Sequence, residues 1–190
     1  METFVKLGGG IMAKDILKRR VLLVDDEEAI RESLGELLTE CGFNVSLADS
    51  VDNAVKVLEN ETDVEAIISD LKMPKKPGIE LLRYLNETQR KIPVIFLTGY
   101  GTLESCQEAV REGAFDYILK PIDDKDKVIF PLKHAVEQFR LEKKNKEMQL
   151  DILRMAEEHQ ALVDQILNDA EAKNKVQERI GAIVNKWKKA

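Results

Sequence analysis

The chain has 190 residues, 44% hydrophobic and 34% charged, which leaves room for one ordinary domain and an extension but not for two full domains. Its net charge of −6 is uneven: residues 1–125 carry 16 Lys+Arg against 24 Asp+Glu, and residues 126–190 carry 13 against 11. That balance excludes the basic footprint of a nucleic-acid binder, and no apolar run approaches the ~20 residues of a membrane span. The two cysteines, Cys41 and Cys106, lack metal-knuckle spacing and read as small buried hydrophobes. A cytoplasmic protein is expected.

Residues 1–17 read as a flexible leader, within which Met12 is an alternative start. From there short apolar runs alternate with amphipathic stretches. The run Val21–Val24 precedes a helix lined by Ile30, Leu34, Leu37 and Leu38, which should stop at Gly42. Val45–Ala48 leads through Ser50, a good N-cap residue, into a helix carrying Ala54, Val55 and Leu58. Ala66–Ile68 is followed by a loop with Met73-Pro74 and Pro77-Gly78, then by a helix with Ile79, Leu82 and Leu85. Val94–Leu97 precedes a fourth helix with Leu103, Cys106, Ala109 and Val110, ending at Gly113. The last run, Tyr117–Leu119, leads into a helix from about Asp124 that turns Val128, Leu132, Ala135, Val136 and Phe139 inward. Runs this short and this β-branched or aromatic read as strands buried on both faces of a parallel sheet. Five such repeats in about 120 residues predict an open, doubly wound α/β domain.

In such sheets the ligand sits beyond the carboxyl ends of the strands. The residues found there are Asp25 and Asp26, Asp70, Thr98 and Lys120. Three carboxylates packed together repel unless a cation intervenes. Mg²⁺ is the simplest choice, a hard ion that takes carboxylate oxygens and keeps positions open for phosphate. Lys120 adds a compact positive charge and Thr98 a hydroxyl. Such a set suits phosphoryl transfer, which needs positioning and charge neutralisation above all. Each residue alone would be an ordinary cap or surface group; their order at successive strand ends is the signal.

The blocks VLLVDDEEAIRESL, SDLKMPKKPGIELL, PVIFLTGYG and AFDYILKPID resemble the receiver domain of bacterial two-component response regulators, and LTGYGTLESCQEAVREGAFDYILKP is similar to the nitrogen-regulator class. The resemblance covers residues 18–140 and implies a flavodoxin-like five-stranded parallel sheet of order 2-1-3-4-5, with Asp70 as the phosphoacceptor, taking its phosphoryl group from a sensor histidine kinase. It also implies that Asp26, Asp70 and the backbone carbonyl of Lys72 ligate Mg²⁺, with Asp25 acting through water. Lys120 and Thr98 would hold phosphoryl oxygens, Thr98 and Tyr117 would form the switch pair, and Lys120-Pro121 would be a cis peptide. Tyr117 reads equally as a plain core ring with its hydroxyl at the surface. Lys72 and Tyr100 would tune phosphate lifetime. A receiver is a regulatory domain, catalysing only its own phosphorylation and dephosphorylation.

Beyond the receiver, Glu142–Glu147 reads as a polar hinge or a solvated helical turn. A four-three spacing then runs from Met148 through Ile152, Met155, His159, Leu162, Ile166, Asp169, Lys173, Val176, Ile180 and Ile183 to Trp187. Residues 141–190 are therefore expected to be helical, with a coiled coil as the leading reading and a hairpin bending near residues 168–175 as its rival. His159 reads as a polar register position. A homodimer through this tail or the last receiver helix is expected, with a downstream protein partner that the sequence does not name. No helix-turn-helix, P-loop or ATPase block occurs, so the output is expected to be protein–protein, or the chain is a piece of a longer one. Two other functions fit the same residues. One is an Asp-nucleophile phosphohydrolase, although such enzymes place a second acid where Lys72 stands. The other is a coiled-coil adaptor with a silent receiver head.

Overall fold

The computed structural model describes residues 19–99 and 109–187, with side chains as far as residue 182. Five strands alternate with helices: β1 (Arg20–Val24), α1 (Glu28–Glu40), β2 (Asn44–Ala48), α2 (Val51–Asn60), β3 (Val64–Asp70), α3 (Ile79–Glu87), β4 (Val94–Thr98), β5 (Asp116–Leu119) and α4 (Asp126–Trp187). Residues 109–111 are also helical, while Leu103 and Cys106 of the expected fourth helix lie outside the described residues. All pairings are parallel, in the order β2-β1-β3-β4-β5, the predicted flavodoxin-like sheet.

Because side chains alternate along a strand, the central strands feed two cores. Leu22, Val24, Ile67 and Phe96 pack with α2 and α3 on one face of the sheet. Val21, Leu23, Ile68, Ile95 and Leu97 pack with α1 and the start of α4 on the other. The edge strands correct the expectation of strands buried on both sides. Leu47 in β2 is exposed, and so are Tyr117 and Leu119 in β5, where only Ile118 is buried. An edge strand has one neighbour instead of two, so part of its side-chain surface stays open to solvent even where a helix packs on it. Val110 is likewise exposed, whereas Ala109 is buried. Cys41 is half-buried rather than fully enclosed; Cys106 lies outside the described residues.

The helix boundaries follow their local chemistry. Asn53 N–H donates to Ser50 Oγ at 3.4 Å, capping α2. Gly42 ends α1 at φ 91°, a backbone geometry that side chains resist. Gly113 stands in the same geometry, with φ 94°.

The chain divides into two compact units, residues 1–141 and 142–190. In the second, residues 142–147 are helical and exposed, which agrees with the solvated helical turn. Helix continues without interruption through residues 168–175, where a hairpin would have turned. Every side chain from residue 142 to residue 182 is exposed. Among the described residues no helix is long and apolar enough to cross a membrane.

Candidate functional site

Sheet register assembles the site. Val24 pairs with Ser69, Asp70 with Leu97 and Thr98 with Leu119. Asp25, Asp70, Thr98 and Lys120 each stand at or one residue past the end of a strand, in successive positions across four neighbours. Adjacent strands lie about 4.8 Å apart, so these side chains share one edge.

Lys120 is the hub. Its Nζ lies 2.9 Å from Asp25 Oδ2 and 2.8 Å from Asp70 Oδ1. Asp25 is fully buried and Asp70 nearly so. The other oxygen of each carboxylate is held by backbone: Glu27 N–H donates to Asp25 Oδ1 and Lys72 N–H to Asp70 Oδ2, at 2.9 and 2.8 Å. Burial pushes the Asp70 carboxyl above its ordinary value, with the Lys120 hydrogen bond opposing the shift. Burial acts against the charge on Lys120, yet the bonds to Asp70 and Asp25 outweigh it and raise the ammonium above its usual range. The arrangement sets two buried carboxylates against one ammonium at a single sheet edge.

Thr98 is buried and its Oγ1 has no hydrogen-bond partner. Buried hydroxyls are seldom left without a partner. Lys120 N–H donates to the Thr98 carbonyl at 2.7 Å, tying the two ends together. Lys120-Pro121 is cis.

The other sequence-predicted residues stand further out. Asp26 is exposed, so the expected cluster of three acids is a buried pair with a solvated neighbour; among the described residues no group of three His, Cys, Asp or Glu is poised for a metal ion. Lys72 is exposed and is fixed to Asp70 through its N–H. Tyr117 is 46% exposed. Tyr100 lies outside the described residues. Two carboxylates converging on one cationic point, with a third at the rim, remain a donor set that fits Mg²⁺, which binds through one or two carboxylates and retains several waters.

Two supporting residues escaped the sequence reading. Arg31 donates to the Asp25 carbonyl at 2.7 Å, bracing the strand end from α1. Gly78 packs so tightly beneath the site that a Cβ there would collide with the Asp70 carbonyl oxygen. The Pro77-Gly78 pair signalled a turn, but a close approach between distant backbone atoms leaves no mark in local sequence.

Residues 21–130 match the family model for the response regulator receiver domain. An NtrX-like response regulator of Rickettsia bellii is 36% identical over 135 residues, covering 70% of this chain and 28% of that protein. The transcriptional regulatory protein FixJ of Bradyrhizobium diazoefficiens is 32% identical, covering 71% of this chain and 65% of that one. The chain thus spans little more than a quarter of the NtrX-like relative's length. Among solved structures, a receiver domain from Clostridium thermocellum aligns with a TM-score of 0.61 at 30% identity, covering 65% of this chain and 98% of that one. The FixJ-N crystal structure aligns at 0.58 and 36% identity, covering 63% and 94%.

Proposed function

The chain belongs to the response regulator receiver family of two-component systems, and from that premise we propose that Asp70 accepts a phosphoryl group from a sensor histidine kinase and that this event switches the helical tail or a partner protein. The observation that carries this reading is the Lys120 ammonium held between two buried carboxylates, with an unpaired Thr98 hydroxyl on the neighbouring strand.

A carboxylate oxygen of Asp70 attacks phosphorus, the bond to the donor's histidine nitrogen breaks, and an acyl phosphate forms on Asp70. Lys120 neutralises charge gathering on the phosphoryl oxygens, and Thr98 Oγ1 donates a hydrogen bond to one of them, satisfying a group that otherwise has no partner. Lys72 N–H holds Asp70 in position for attack. Asp25, Asp26, Asp70 and the Lys72 carbonyl would hold Mg²⁺, which when bound supplies positive charge against the incoming group. Tyr117, exposed in this state, is the aromatic that would turn inward when Thr98 engages phosphate.

The test is intact-mass measurement after incubation with acetyl phosphate and Mg²⁺. One added phosphoryl group is expected on the unaltered chain and none on Asp70→Ala. Phosphorylation that persists in Asp70→Ala, or none on the unaltered chain, overturns the proposal.

A further inference from the structure

The tail presents an apolar stripe to solvent: Ile152, Met155, Leu162, Ile166, Val176 and Ile180 are each 53–65% exposed. A row of this kind at four-three spacing on a fully exposed helix calls for a covering surface. The charge along the same helix is polarised. Residues 147–164 hold five acids against one base, and residues 165–190 hold six bases against three acids.

We propose that the stripe is covered by the tail of a second copy of this chain running antiparallel, with the crossing point midway between Ile166 and Asp169. Charge complementarity selects both the occupant and its direction. Parallel pairing in register would set acidic half against acidic half and basic half against basic half. It would also stack His159 on His159, Asp169 on Asp169 and Lys173 on Lys173 in the seam. Reversing one helix gives every one of these an aliphatic counterpart. Met155 meets Ile180 of the second copy, His159 meets Val176, Leu162 meets Lys173 and Ile166 meets Asp169. Asp169 and Lys173 are also i, i+4 neighbours on one helix, so their charges offset locally, and the lysine stem lies along apolar surface while its ammonium reaches water. At the flanks the same register places Glu158 beside Arg179 of the second copy, a pair that symmetry repeats. In parallel register Glu158 faces Val163 instead, so the pairing is diagnostic.

This proposal needs no phosphate and does not depend on Asp70. The experiment is sedimentation of the full chain and of its Asp70→Ala variant over a concentration series at low salt, where exposed ion pairs are least screened. Both are expected to form a two-chain species. Glu158→Lys alone and Arg179→Glu alone should each weaken association roughly fivefold or more by making like-charge contacts. The double variant, and an equimolar mixture of the two single variants, should restore it. These positions are solvent-exposed on the isolated helix, and near-UV dichroism checks that the receiver is intact. A chain monomeric at every concentration overturns the proposal. So do single charge reversals without effect, or a double variant that stays weak.

Discussion

The receiver and the tail use apolar residues in similar proportion and to opposite ends. In the receiver Leu22, Ile67 and Phe96 have no exposed surface, and their burial is complete within one chain. In the tail Ile152, Ile166 and Ile180 keep more than half of theirs. The difference is one of period and partner. Period-two strands carry helices on both faces of the sheet, whereas a single helix has no second surface of its own to bury against. Stability in the first region is therefore a property of the chain, and in the second it depends on what meets it.

Substitutions can break or sharpen that contrast. The largest effect should come from Phe96→Ala, which empties a fully enclosed site in the core and is expected to cost about 3–5 kcal/mol in urea unfolding of the receiver. Next, Lys120→Met leaves the Asp25 and Asp70 carboxylates facing each other with no cation between them. Removing one partner from such a buried set costs about 3 kcal/mol or more. The loss should shrink as pH falls and one carboxylate takes up a proton, because the folded state then binds more protons than the unfolded one; unfolding midpoints from pH 7 to pH 4 measure it.

Asp70→Asn should have a smaller effect and the opposite sign. The Asp70 carboxyl is raised in the fold, so its favourable contribution is complete below the unfolded value near 3.8 and is lost as pH rises through the folded value. At pH 7 the ionised group is a liability, and the amide should stabilise the receiver by roughly 1 kcal/mol. That gain should disappear on acidification; a variant less stable than the parent at pH 7 would contradict it. The smallest effect belongs to Ile166→Gln, expected to leave receiver unfolding within about 0.5 kcal/mol of the parent. A larger change would mean that the tail's exposed stripe supports the receiver after all.

Much of this was readable in advance, for reasons that differ by residue. Asp25, Asp70, Thr98 and Lys120 were found because a parallel sheet sends the ends of its strands to one edge, and order in the chain reveals which residues end strands. Strand order came with the family resemblance, since periodicity alone does not rank neighbours. Tyr117 and Leu119 were read as buried because a short apolar run looks the same at the edge of a sheet as at its centre. Asp26 is exposed beside the fully buried Asp25, and two adjacent aspartates carry no mark in sequence of which one the fold encloses. Arg31 was missed as a brace because its bond is to backbone, which has no letter in the sequence.

Gly78 has a practical consequence. It offers no functional group, yet even a methyl at that position would displace the peptide that carries Asp70. An alanine sweep through the loop after β3 would register a defect there as severe as at a reacting residue. Sensitivity at position 78 measures clearance beneath the acceptor and says nothing of reactivity.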